Sequence, residues 1–135
     1  PGSLSIFGTG SNSPDTLRYR SKTLAMFQRI GANDVYVLSM YTQEYGADAP
    51  YFNKYRAYVA YVDSVDYAQV KHRTAAYKEV LVGYFEWLRR RGFKFVHMWI
   101  CRPKHGDSYI FWNRPRYQRI PDQGQLTKWY WDITK

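Results

Sequence analysis

Two short runs place groups able to hold a ligand where backbone polar atoms are free. Arg73-Thr74 stands where a long helical pattern begins. Unpaired N–H groups and the positive end of the helix dipole attract anions there, and a guanidinium and a hydroxyl add charge-assisted hydrogen bonds. A plainer role is open for the same pair, with Thr74 capping the helix and Arg73 in water. Asp63-Ser64 closes a strand-like run. Backbone groups past a strand's carboxyl end are free to meet a ligand, although an ordinary Asp-Ser turn is the commoner use of that pair. His72, His97, His105 and the single cysteine, Cys101, are dispersed and give no metal-ligand spacing. His97, on an apolar strand, reads as a satisfied core residue. No Ser-His-Asp arrangement and no phosphate-binding glycine motif is present. One cysteine forms no internal disulfide, which fits a reducing compartment.

The elements that must carry these residues are organised around residues 71–101. Tyr77, Val80, Leu81, Tyr84, Trp87 and Leu88 recur every three or four residues and make one apolar helix face. Thr74 is the expected N-cap. Arg89, Arg90 and Arg91 favour the carbonyl end of the dipole, and Gly92 supplies the left-handed residue that ends the helix. Residues 93–101 are an almost unbroken apolar run stopped by Arg102-Pro103, so an interior strand with both faces covered is expected. Upstream, residues 17–30 and 34–44 read as a hairpin around Gly31-Ala32-Asn33-Asp34, although the residues of the first segment would also suit a helix, and 55–62 reads as a third strand. Downstream, 108–112 reads as a strand pairing with 95–101. Residues 113–124, with Pro115 and Pro121, read as a loop, and 126–133 as a terminal helix. The order β-β-β-α-β-β-α predicts an α/β fold, a mixed central β-sheet with helices packed against it.

The chain has 135 residues and 45% hydrophobic content, enough for one domain with a real core and too apolar for disorder throughout. Residues 1–16 are rich in Gly, Ser, Asn and Pro and read as a flexible lead-in. Pro1-Gly2-Ser3 has the composition of an expression-tag remnant. No run of 18 apolar residues and no signal-peptide pattern occurs, which predicts a soluble intracellular protein without a membrane partner. The formal charge of +9 points to an anionic partner, such as nucleic acid or a phosphorylated cofactor, or simply to solubility.

An ordered series of stretches resembles the catalytic domain of the CREB-binding-protein type of histone acetyltransferase. It comprises Tyr19-Arg20-Ser21-Lys22, Gln43-Glu44-Tyr45-Gly46, Tyr61-Val62-Asp63-Ser64-Val65 and the run from Arg73 to Tyr84. It continues through Arg91-Gly92-Phe93, His97-Met98-Trp99-Ile100-Cys101, Asp107-Ser108-Tyr109-Ile110-Phe111, Ile120-Pro121 and Leu126-Thr127-Lys128-Trp129-Tyr130. Any one of these is weak; the ordered set is specific. The resemblance covers residues 17–135 as a partial domain, the cofactor side of a longer one.

That resemblance implies a nuclear lysine acetyltransferase with acetyl-coenzyme A as co-substrate and histones or other lysine-bearing proteins as partners. It implies a role in chromatin and transcription. It further implies cofactor contacts at Val62, Asp63, Ser64, Arg73, Thr74, Ile120, Pro121 and Trp129. Tyr61, Asp63 and Trp99 would border the substrate lysine, and Tyr130 would be the general acid for the departing thiolate. A phenol near pKa 10 is protonated at neutral pH, but full transfer to a thiolate near 8.5 is uphill by about 1.5 units, roughly 2 kcal/mol. The role is therefore a hydrogen bond to sulfur as charge develops, with the proton replaced from the incoming ammonium. No metal is implied. On residue type alone, Trp99 and Trp129 would equally be core packing.

Three departures from the family stand out. Gln125 occupies a position where a coenzyme-A-binding arginine is usual. Trp112-Asn113-Arg114 replaces a Cys- and His-bearing segment. Arg102 stands in place of a proline. The charge of +9 also contrasts with the family's acidic histone-facing surface. The alternatives are a nucleic-acid or phospholigand module using basic side chains and stacked tyrosines, or an acetyltransferase fold kept as an interaction domain.

Overall fold

The computed structural model describes residues 2–5, 16–67, 72–104, 107 and 109–134. Five strands form one sheet in chain order: β1 (Gly2–Ser5), β2 (Thr16–Ile30), β3 (Asn33–Tyr45), β4 (Arg56–Ser64) and β5 (Phe95–Met98). β1 to β4 pair antiparallel, and β5 lies parallel to β4. A parallel neighbour cannot be reached through a tight turn; helix α1 (Arg73–Arg90) makes the crossover. Helix α2 (Gln123–Trp131) comes after a long irregular segment. This is the mixed α/β sheet with packed helices that the sequence order predicts. Among the described residues no helix is long and apolar enough to cross a membrane.

The helix periodicity is realised by Tyr77, Leu81, Tyr84 and Leu88, all buried. Leu81, Tyr84 and Leu88 pack on Met40, Ala57 and Val59 of the sheet, and Leu126, Trp129 and Tyr130 of α2 join the same cluster. Both helices thus cover one face of the sheet. Trp87 falls off the buried stripe and is 38% exposed. It lies under two cations instead, Lys22 Nζ at 3.5 Å and the Arg91 guanidinium at 4.3 Å from its ring centre. The helix ends as its sequence predicts. Gly92 adopts φ +84°, its N–H bonds to Arg89 O at 3.0 Å, and the Phe93 N–H bonds to Leu88 O at 3.1 Å. These two bonds make a Schellman motif.

Several expectations are corrected. Thr74 is not the N-cap: the helix starts at Arg73, and His72 precedes it at φ 67° without a side-chain cap bond. α2 begins at Gln123 because Asp122 and Gln125 form a capping box, a signal hidden behind Gly124. Part of the expected lead-in is strand β1, which pairs with β2 through backbone bonds that ask little of side-chain type. β5 is short, and it is an edge strand with Phe95 54% exposed, not an interior one. Residues 109–112 do not form its partner strand. Their backbone is drawn elsewhere: the Ile110 and Phe111 N–H groups donate to the Asp63 carboxylate at 3.0 and 3.2 Å. The expectations for residues 6–15, for 68–71, and for His105, Gly106 and Ser108 lie outside the described residues. His97 is not a core residue but is exposed and stacked on Tyr58 at 5.4 Å.

Candidate active site

The site arises where two parallel strands part. β4 and β5 stay paired only to Val59 and Met98, whereas β4 runs on to Ser64 against β3. At the same place β4 carries a bulge. Tyr41 faces Tyr61 and Thr42 faces Val59, which leaves Ala60 as the extra residue. An inserted residue bends the strand and re-aims the side chains beyond it. Val59 and Val62 both meet the helix-side core, although three residues apart, and Tyr61 and Asp63 turn to the other face. A cavity of about 550 Å³ opens in this fork, within the range that holds small ligands.

One wall is the β4 tip, Tyr61, Val62, Asp63 and Ser64. The second is Trp99, Ile100 and Cys101 beyond β5. The third is brought by the irregular segment and α2, with Tyr109, Arg119, Ile120, Pro121 and Tyr130. Gln123 ties α2 to the second wall: its amide donates to Ile100 O at 3.2 Å and accepts from the Arg102 N–H at 3.0 Å.

Eight of the residues singled out in the sequence line this cavity: Tyr61, Val62, Asp63, Ser64, Trp99, Ile120, Pro121 and Tyr130. Arg73, Thr74 and Trp129 do not. Arg73 pairs with Asp66 at 2.8 Å, and the Asp66 N–H donates to Gln118, a cavity-lining residue, at 3.0 Å. Arg73 is therefore one ion pair away from the wall. Trp129 packs between the two clusters around Leu81 and around Tyr77, which is core packing. Trp99 is 68% exposed and is no core residue, because the chain has left the strand one residue earlier.

Tyr130 is 9% exposed, and its hydroxyl has no hydrogen-bond partner among the described residues. No buried side-chain oxygen or nitrogen among them is orphaned, so this hydroxyl opens to the cavity. Burial pushes its pKa up to about 12. The Asp63 carboxylate is saturated. It accepts from the N–H groups of Ser64, Ile110 and Phe111 and from Arg114. Gln125 is turned away from ligand work by its capping box.

Arg114, Gln118 and Arg119 line the cavity and were not legible as site residues. Arg114 meets Asp63 across 51 positions of sequence. Among the described residues, no group of three or more His, Cys, Asp or Glu is gathered to hold a metal ion.

The family model described as "Histone acetyltransferase domain KAT3" matches residues 1–135. The chain is 37% identical to probable histone acetyltransferase HAC-like 1 of Oryza sativa subsp. japonica, over 96% of the chain and 8% of that protein. It is 36% identical to histone acetyltransferase HAC2 of Arabidopsis thaliana, over 88% of the chain and 9% of that protein. It is 38% identical to protein cbp-1 of Caenorhabditis elegans, over 87% of the chain and 6% of that protein. The chain thus spans less than a tenth of the length of these relatives. With the family model matched from end to end, the chain belongs to the KAT3 histone acetyltransferase domain family.

Proposed function

We propose that this chain is the cofactor-binding core of a nuclear lysine acetyltransferase, acting on histones or other proteins with acetyl-coenzyme A as co-substrate. One observation carries the reading: a phenol without a hydrogen-bond partner among the described residues opens into a cavity shared by a strand tip, an exposed indole and a basic side chain. Bound there, acetyl-coenzyme A supplies an acyl group on a thiolate leaving group. The residues present suit its thioester arm. Val62, Ile120 and Pro121 give apolar contact, and Ser64 gives a hydroxyl at the strand tip. Trp99 walls the approach of a lysine chain.

Tyr130 keeps its proton. With its pKa near 12, donation of that proton to a thiolate near 8.5 is uphill by about 3.5 units, roughly 5 kcal/mol. The phenol therefore donates a hydrogen bond to developing negative charge on sulfur and does not ionise. The lysine ammonium must first lose one proton to water, which at neutral pH costs about 4 kcal/mol; the free amine then attacks the acetyl carbon, the C–S bond breaks, and the proton that nitrogen sheds as the amide forms goes to the thiolate. Arg119 takes the phosphate-facing role that Gln125 cannot fill. It lines the cavity and forms no ion pair among the described residues.

Titration calorimetry with acetyl-coenzyme A tests the reading. Saturable binding in the micromolar range is expected; no heat at high micromolar cofactor contradicts it. The alternative of a nucleic-acid module rests on exposed rings along the helix-free face, Tyr41, Tyr61 and Tyr109. Binding of a generic oligonucleotide that falls steeply with salt would favour it.

A further inference from the structure

We propose that Arg114 is a positioning residue: its guanidinium, held between the Asp63 carboxylate and the Ser64 carbonyl, fixes the segment from Tyr109 to Pro121 as the outer wall of the cavity. The ligand, acetyl-coenzyme A, rests on the proposed function of that cavity.

The segment has no regular secondary structure, so something other than a ladder must hold it. The anchor is Asp63, 7% exposed. Its Oδ1 accepts from the Ser64 N–H at 2.8 Å and from Arg114 Nη2. Its Oδ2 accepts from the Ile110 and Phe111 N–H groups at 3.0 and 3.2 Å. An ionised carboxylate has about four acceptor positions, and all are used. Asp63 therefore has no position left for a ligand and acts through the segment it holds. Arg114 is the one charge partner in that set. Its second nitrogen, Nη1, donates to Ser64 O at 2.8 Å, so one planar fork bridges the strand tip to the segment. A fork of this shape is a property of arginine that lysine reproduces only in part.

A second attachment lies further along. Gln118 donates to Ser64 O at 3.0 Å and accepts from the Asp66 N–H at 3.0 Å, and the Tyr117 hydroxyl donates to Tyr67 O at 2.8 Å. Removal of Arg114 should therefore free the part around Ile110 and Phe111 and leave the part around Gln118 attached. With Ile120 and Pro121 on the same wall, the cavity loses its shape without losing its residues.

The test is amide hydrogen exchange on the intact protein, with Arg114→Ala and Arg114→Lys beside wild type. The Ile110 and Phe111 amides should exchange about tenfold faster or more in the alanine variant, with an intermediate rate for lysine. The amides of Leu81 and Leu88 should be unchanged, since local opening does not touch the main helix. In turnover assays the alanine variant should raise KM for acetyl-coenzyme A about tenfold while kcat falls less than threefold. Unchanged exchange at Ile110 and Phe111 would overturn the proposal. So would equal acceleration in the helix, which would make Arg114 a contributor to global stability alone. Wild-type protein that binds no acetyl-coenzyme A would overturn the ligand assignment, and the exchange pattern would still decide separately whether Arg114 holds the wall.

Discussion

Gln125 and Asp122 hold each other at the start of α2. The Gln125 N–H donates to Asp122 Oδ1 at 2.8 Å, and the Gln125 side-chain oxygen accepts from the Asp122 N–H at 3.1 Å. The helix that carries Tyr130 into the cavity is therefore started by this reciprocal pair. Loss of the acceptor in Asp122→Ala should cost about 1 kcal/mol, read as a lower midpoint in denaturant unfolding. Gln125→Glu preserves the box and should stay within about 0.5 kcal/mol of wild type. An Asp122→Ala variant as stable as wild type would show that the box does not hold the helix start.

Glu44 is buried at 3% exposure beneath the far end of α1. Lys22 and Arg91 approach it at 3.4 and 3.2 Å, and the Tyr84 hydroxyl donates to it at 3.1 Å. Truncation in Glu44→Ala leaves that hydroxyl and two cations without their shared acceptor. A fully buried pair broken this way costs about 3–5 kcal/mol. Both cations here are part-exposed and recover water, so about 2 kcal/mol is expected. Chemical denaturation measures it, and a loss below about 0.5 kcal/mol would mean the cluster is surface electrostatics.

The strands β2, β3 and β4 and the helix α1 were legible because each repeats a pattern that burial imposes, period two or near four. The fork and the bulge at Ala60 were not, since a bulge is a register fact between Tyr41, Thr42 and their partners and leaves no mark on one strand. The apolar run after Gly92 predicted an interior strand because apolar content reports distaste for water without naming the neighbour that covers it. The separate fate of Ile110 and Phe111 depended on Asp63, 47 and 48 positions away. Tyr130 and Trp99 were named as site residues only through family resemblance, whereas Ser64 stood out as the end of a strand-like run. Nothing in the sequence pattern tells a cavity phenol from a core one.

Four tyrosines make stability depend on alkaline pH. Burial raises the pKa of Tyr130 to about 12, and burial first also raises those of Tyr84, Tyr77 and Tyr45. A folded pKa above the unfolded one, near 10, means the folded chain holds protons that the unfolded chain has released. Stability from these groups is complete below about pH 10 and is lost as pH rises through each folded pKa, about 12 for Tyr130. For Tyr130 alone that amounts to about 3 kcal/mol. Melting midpoints taken from pH 9 to 12 should fall across this window, and the ultraviolet titration of the phenols should show a group that ionises only with unfolding. A flat stability profile with all phenols titrating together near pH 10 would contradict the buried environments described.

The phenol of Tyr130 has no hydrogen-bond partner among the described residues to lose on substitution. Tyr130→Phe should thus melt within about 1 °C of wild type and bind acetyl-coenzyme A with unchanged affinity. Its acetyl transfer to a histone peptide should fall about 100-fold, the scale of a lost transition-state hydrogen bond. The decisive measurement is single-turnover acetyl transfer by this variant at saturating cofactor. A drop of that size with binding retained is the predicted result; a rate within threefold of wild type, or an equal loss of rate and binding, contradicts the role assigned to Tyr130.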